Sequence, residues 1–409
     1  MKIIVINDHG SAVGGAAQVA ISSLNGLART GNDVTFISAV GPISPHIDQK
    51  AVEVICLERF DLLGNPSRLS AAVNGLWDRK SALEVKKILS RYKPEDTIVH
   101  LHTWVKSLSS SVPFEIMRMG FRLVCTLHDY FSCCPNGGFY NYKSNKHCEI
   151  SPMTLKCLST NCDSRSYFQK VWRFSRQIIQ QKLAKVPREI PWFISVSDYS
   201  EVIIKPYLHR EATVFRVSNP IDVQKASPAR PSENSEFLFV GRLSPEKGAS
   251  LFARAAHMVG VSASFVGSGI EEARIKETLP KARFFGWRNR TDVFQIIANS
   301  RAIVVPSLWH ETQGLVVLEA AALGIPAIVS RKCAAAEYIE DGKNGILFES
   351  GNCDDLAGKL KTMLNDNNLI SRLGLEAYNQ YWSKPCTVEG HVCDLLKCYQ
   401  LILESKLDY

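Results

Sequence analysis

The sequence predicts an α/β protein of two doubly wound domains, each a parallel sheet with helices on both faces. Three observations predict it. Short apolar strands alternate with helix-patterned segments along most of the chain. The alternation pauses at a polar, turn-rich stretch between Ser218 and Asn234 and then starts again. A length of 409 residues is too great for one ordinary core. The expected domains are residues 1–218, with a cysteine-rich insertion at 131–163, and residues 219–385, while residues 386–409 supply a last helix.

A hydrophobic share of 45% with 22% charged residues is that of a soluble globular protein. No run of about 18 apolar residues occurs, so no spanning helix is expected. The opening Met1–Asp8 reads as a strand and not as a signal peptide, which makes the cytoplasm the expected location, where thiols stay reduced. The net charge of +8 is uneven. Residues 1–218 carry 27 Lys and Arg against 18 Asp and Glu, and residues 219–409 carry 21 against 22. An anionic partner is therefore expected to meet the first half.

In the first domain Lys2–Ile6 is a buried strand, followed by a glycine loop and a helix over Ala17–Arg29 with Val19, Leu24 and Leu27 on one face. Asp33–Ala39, Thr97–His102, Arg122–Leu127 and Trp192–Val196 are further strands, and residues 70–92 and Leu108–Met119 are helical. Gly14 and Gly15 admit two readings. They make a tight strand-to-helix turn, or they let the backbone approach a ligand phosphate or sugar that a side chain would block. His100, His102 and His128 end strands, and ligands of open parallel sheets bind beyond the carboxyl ends of strands. His128 either faces such a cleft or caps the next turn.

Residues 131–163 place Cys133, Cys134, Cys148, Cys157 and Cys162 among Pro, Gly and Asn, with few aliphatics to build a core. Cys134, Cys148, Cys157 and Cys162 suit a structural zinc ion, although the short CxxC knuckle is missing; unligated thiols and an oxidised pair are the other readings. In residues 165–188, Arg165, Lys170, Arg173, Arg176, Lys182, Lys185 and Arg188 interleave with aromatic and aliphatic side chains. The pattern fits a basic amphipathic helix on an anionic bilayer, or a packed helix with a solvated basic face.

The second series opens with strand Glu236–Val240 and continues through Ala263–Val266, Ala282–Phe285, Ala302–Val305 and Ala327–Val329. Arg242 and Lys247, in a loop flanked by Gly241 and Gly248, are two cations suited to a diphosphate, or to a structural salt bridge. Beyond Ala302–Val305, Gly314 stands where a helix begins, and a helix N-terminus is an anion site. Glu311 and Glu319 flank it. Carboxylates do not ligate phosphate, but as acceptors they suit the vicinal hydroxyls of ribose or hexose. The set describes a nucleotide diphosphate sugar.

On these residues the chain resembles the retaining glycosyltransferases of family four, which have the GT-B fold: two Rossmann-like doubly wound domains facing a central cleft. The most specific elements are Gly241-Arg242-Leu243 with Lys247-Gly248, and Glu311 with Glu319, followed by Ala320, Gly324 and Pro326. The resemblance implies that Glu319 holds the nucleotide ribose and Glu311 the hydroxyls of the donor sugar. It gives the diphosphate to Arg242, Lys247 and the amides of Gly314 and Leu315. It places Gly15 over the diphosphate and His128 against the transferred sugar. It implies no metal or other cofactor for the chemistry, and a last helix that returns to the first domain. Thr312-Gln313 stand where the family often has Gly-Phe, and they mark a place where donor choice is read. The cysteine segment, found in only some members, lies beside His128 and is expected to shape the acceptor side.

The implied activity is hexosyl transfer from a nucleotide diphosphate sugar with retention. The charge of the first half and the helix at 165–188 favour a polyprenyl-linked oligosaccharide acceptor at the cytosolic face of a bacterial membrane. The setting is then lipopolysaccharide or other surface-polysaccharide synthesis, with no nucleic-acid partner. A nucleotide-sugar epimerase on the same fold and a non-enzymatic sugar-nucleotide binder are the alternatives.

Overall fold

The computed structural model describes residues 1–405, in two compact units. The first comprises Met1–Gly137, Ile150–Pro220 and the chain from Thr387; the second comprises Gly138–Glu149 and Ile221–Cys386.

The first unit is built on a seven-stranded parallel sheet in the order Val52–Cys56, Asp33–Val40, Lys2–His9, Thr97–Leu101, Arg122–Thr126, Trp192–Ser195, Thr213–Arg216. Lys2–His9 is an interior strand, and its run Ile3-Ile4-Val5-Ile6 is fully buried because helices cover both faces. The sequence reading missed the two edge strands, which are short and only partly buried. It also joined two helices. Residues 70–92 break at Trp77-Asp78 into Arg68–Leu76 and Arg79–Leu89. The break is made by Asp78, whose carboxylate accepts from the Lys80 and Ser81 amides at 3.1 Å and caps the second helix. The last helix, Val388–Glu404, lies against the helix Gly15–Arg29. It is tied down by Tyr399, whose hydroxyl is 2.6 Å from His100 Nδ1. The Arg122 guanidinium adds bonds to the carbonyls of Ile402 and Leu403 at 3.1 and 3.2 Å.

The helix Tyr167–Lys182 corrects part of the expectation of a basic face in solvent: Lys170, Arg173 and Arg176 turn inward, while Arg165, Lys182, Lys185 and Arg188, at and beyond its ends, stay exposed. Its polar side is turned inward, onto the cysteine-rich insertion and its surroundings. Lys170 and Arg176 are buried, and Arg173 pairs with Asp163 at 3.2 Å. Arg176 donates to the Val105 carbonyl, and Gln177 and Gln180 donate to the Ser132 carbonyl. The insertion has few aliphatics but many backbone carbonyls, and long polar side chains satisfy them where an apolar stripe would leave them orphaned. The apolar residues Tyr167, Phe168, Val171 and Ile178 are exposed, together with Lys182 at the helix end.

The second unit carries a six-stranded parallel sheet in the order Arg283–Gly286, Ala263–Val266, Phe237–Val240, Ala302–Val305, Ala327–Ser330, Gly345–Phe348. Chain order runs outward in one direction from Phe237–Val240 and in the other from Ala302–Val305. The reversal between these neighbours is the crevice where doubly wound sheets bind ligands. A two-stranded hairpin, Tyr140–Asn141 with Lys146–His147, also belongs to this unit although the first half of the chain encodes it.

Candidate active site

The loops that leave the two strands at the reversal, Gly241–Gly248 and Pro306–Gly314, are knitted together. The Leu308 amide donates to the Glu246 carbonyl at 2.8 Å. Gly248 has φ 73°, and a Cβ on it would stand 2.0 Å from the Pro306 carbonyl oxygen, so only glycine lets the loops meet.

Charged groups pair across this junction. Lys247 Nζ donates to Glu311 Oε1, and Ser307 Oγ donates to Glu311 Oε2 at 2.7 Å. Burial pushes the Glu311 carboxyl up, but the Lys247 ammonium and the two hydrogen bonds outweigh it and hold the group below its ordinary value. Lys247 also lies 5.3 Å over the Trp309 ring. Arg242 Nη2 is 3.0 Å from Glu246 Oε1, which accepts from Ser244 Oγ at 2.8 Å. Glu246 is buried while the Arg242 guanidinium is exposed, so the acid anchors one edge of a cation that still presents the rest of its fork. Gly241 joins the neighbouring strand through its amide, 2.9 Å from the Val266 carbonyl.

Gly314 caps the helix Leu315–Ala322 with φ 77°, and a Cβ there would stand 2.5 Å from Ala335 Cβ. No acid lies in the first turn, so the helix start at Leu315 keeps its positive end. Glu319, one turn in, sits 3.9 Å from Arg290 Nη2. Burial raises its carboxyl above the ordinary value, and Arg290 only partly offsets this. Gln313 is buried and donates to the Tyr338 hydroxyl at 3.3 Å, and Thr312 beside it is half-buried.

In the first unit, Gly14 has extended backbone with φ 164°, which any residue adopts. A Cβ on Gly14 or Gly15 would meet nothing within 4 Å. The chain's own packing therefore does not require glycine at either position. His128 is half-buried at the end of a histidine stack. Its Nε2 is 2.9 Å from His102 Nδ1, and the two rings stack at 5.2 Å. Burial, helped by nearby His391, holds His128 neutral with a pKa of about 3. Asp8 fixes the neighbouring loop by accepting from the Lys106, Ser107 and Leu108 amides at 2.9 to 3.1 Å.

The zinc set expected from the sequence is not assembled. Among the described residues no three His, Cys, Asp or Glu side chains converge as a metal-binding group. Cys134, Cys157 and Cys162 belong to the first unit and Cys148 to the second. Lys170 Nζ stands 3.3 Å from both Cys157 Sγ and Cys162 Sγ, and an ammonium in that position repels a dication.

Sequence reasoning missed Glu246, Ser307, Trp309 and Arg290. Glu246 and Ser307 left a trace, each four positions from its partner, Arg242 or Glu311; Trp309 and Arg290 acquire their roles only when distant segments meet.

A family model described as glycosyl transferases group 1 matches residues 220–380, and one described as glycosyltransferase family 4 matches residues 13–225. The chain belongs to glycosyltransferase family 4. A family-4 chain with two parallel Rossmann-like sheets has the GT-B fold, and a solved structure of Anabaena HepE in complex with UDP and glucose matches it with a TM-score of 0.68. That likeness covers 98% of this chain and 100% of the other at 18% identity. A glycosyltransferase of Methanocaldococcus jannaschii is 29% identical over 168 residues, 40% of this chain and 47% of its own. The lipopolysaccharide core biosynthesis glycosyltransferase LpsE of Rhizobium meliloti is 27% identical over 160 residues, 37% of this chain and 46% of its own. The chain thus spans about half the length of these curated relatives.

Proposed function

We propose that this protein is a retaining glycosyltransferase that moves a hexose from a nucleotide diphosphate sugar to an acceptor hydroxyl. The observation that carries the reading is the convergence, at the sheet reversal of the second unit, of Arg242, the Lys247–Glu311 pair and the helix start at Gly314. Arg242, Lys247 and the amides of Gly314 and Leu315 take up the charge that grows on the diphosphate as its bond to the anomeric carbon breaks. The acceptor oxygen bonds that carbon from the same face, and its proton passes to the leaving diphosphate. Glu311 accepts from hydroxyls of the sugar and Glu319 from those of the ribose. The open space around Gly14 and Gly15 supports a close backbone approach to a ligand, and neutral His128 suits a sugar hydroxyl. The UDP in the HepE structure supports a nucleotide donor.

For the acceptor we favour a polyprenyl-linked oligosaccharide, and the lipopolysaccharide core biosynthesis named for LpsE supports a surface-polysaccharide setting. Among the described residues no helix is long and apolar enough to cross a membrane. Peripheral contact from the cytoplasm would use the exposed Phe168, Val171, Ile178 and Leu183, rimmed by Lys182, Lys185 and Arg188. Vesicle sedimentation tests it: binding to anionic over neutral vesicles is expected, and equal binding overturns it.

The test of the activity is release of free nucleoside diphosphate from a panel of sugar nucleotides, with and without membrane extract as acceptor. Release that depends on the extract is expected. Sugar conversion without an acceptor would instead mark an epimerase, and no turnover a binding protein.

A further inference from the structure

The proposed function leaves the hairpin at residues 138–149 without a role, yet it lies on the loop that carries Glu311. The rings of His147 and His310 are 4.3 Å apart, tilted by 53°. Phe139 meets His310 edge-on at 6.4 Å. A Cβ on Gly138 would stand 3.3 Å from the Trp309 ring, so hairpin backbone rests on the indole. The hairpin holds its own shape through the Tyr140–His147 strand pair and a 2.7 Å bond from the Cys148 amide to the Phe139 carbonyl.

Three polar atoms in this wall are buried with no partner: Nδ1 and Nε2 of His147, and Nε1 of Trp309. Buried polar atoms are nearly always hydrogen-bonded, and each one left unpaired is costly. A neutral imidazole offers one donor and one acceptor, and an indole offers one donor. That is a complement to neighbouring hydroxyls, each able to give and to take. It suits neither a phosphate, which needs donors only, nor an apolar chain. The atoms also belong to the donor side of the site. Trp309 is two residues from Glu311, and Lys247 lies over its ring.

We infer that the hairpin Gly138–Glu149 is a wall of the donor-sugar subsite, and that His147 and Trp309 select the sugar by binding its hydroxyls. The inference rests on the nucleotide-sugar reading above. It assigns donor choice in part to a segment encoded far from the loops that carry the family's acids.

The test is calorimetric binding to the full chain of UDP, UDP-glucose, GDP and GDP-mannose. The variants are His147→Ala and Trp309→Phe, the second keeping an aromatic ring but losing the N–H along with part of the indole. The wild type is expected to bind one nucleoside diphosphate and its sugar conjugate. Each variant should bind the conjugate about tenfold more weakly and the free diphosphate within about twofold of wild type. Unchanged conjugate binding in both variants overturns the inference. Equal weakening of diphosphate and conjugate also overturns it, since the wall would then be only structural. A wild type that binds none of the four overturns the nucleotide-sugar reading and this inference with it. A thermal unfolding scan of each variant separates misfolding from lost contact.

Discussion

Lys247 and Glu311 lie 64 positions apart in sequence and meet as an ion pair in which each side chain is largely buried. The lysine holds the acid ionised against the cost of burial, and the acid holds the lysine at the loop junction.

Lys247→Ala should lower turnover about a hundredfold or more if, as proposed, Lys247 stabilises leaving-group charge. It should also change the pH dependence of stability. With its carboxyl held below the ordinary 4.5, Glu311 stabilises the wild type above that pH, and this is lost as pH falls through the folded value. Without Lys247 the burial penalty dominates and the sign reverses. The variant should melt lower than wild type at neutral pH, with the gap closing on acidification. Adding Glu311→Gln should restore Tm but not turnover.

Glu319→Gln separates stability from function. The Glu319 carboxyl is raised by burial, so its ionisation opposes folding above the unfolded value of 4.5. The amide should raise Tm at neutral pH and leave it nearly unchanged in acid. If Glu319 accepts from ribose hydroxyls as proposed, loss of the carboxylate should weaken nucleotide binding by roughly tenfold to a hundredfold. A variant with lower Tm at neutral pH would sink the electrostatic argument.

The buried histidines of the first unit should make it acid-labile. Burial holds His100 and His128 at about 3 and His391 at about 4, against an ordinary 6.5. The folded chain keeps them neutral while the unfolded chain protonates them, so their support is full above 6.5 and falls as pH drops below it. Tm should decline over that range. NMR should find no titration of these rings between about pH 5 and pH 8 in the native state.

Glu246 is expected to act through Arg242. Glu246→Ala should lower kcat about tenfold with little change in KM, and Glu246→Asp should recover part of it. Because the two form one unit, the double variant with Arg242→Ala should be no worse than Arg242→Ala alone. Additive losses would show that Glu246 works by another route.

Much of this was legible in the sequence because it is local. Runs such as Ile3-Ile4-Val5-Ile6 and Ala302-Ile303-Val304-Val305 announce buried parallel strands, and Gly314 announces a helix start. What escaped depends on encounters between distant segments. The bases of Tyr167–Lys182 read as a solvent face because periodicity shows which residues share a side, not what lies against it. The carbonyls of Val105 and Ser132 that receive that side are far away in sequence. Trp309 and His147 escaped for the same reason: they come to line one wall only once a hairpin lands on a loop.

That hairpin bears on how such a gene can recombine. An exchange at the polar stretch before Asn234 looks clean, since it would import a complete second sheet with its acids and cations. It would nevertheless leave behind residues 138–149, which pack on that sheet's loops. A chimera would then pair a foreign nucleotide site with the host's hairpin, and a graft of the second half alone would transfer donor choice incompletely. A lineage that acquires a new donor by shuffling halves has to carry this short segment along or re-evolve it.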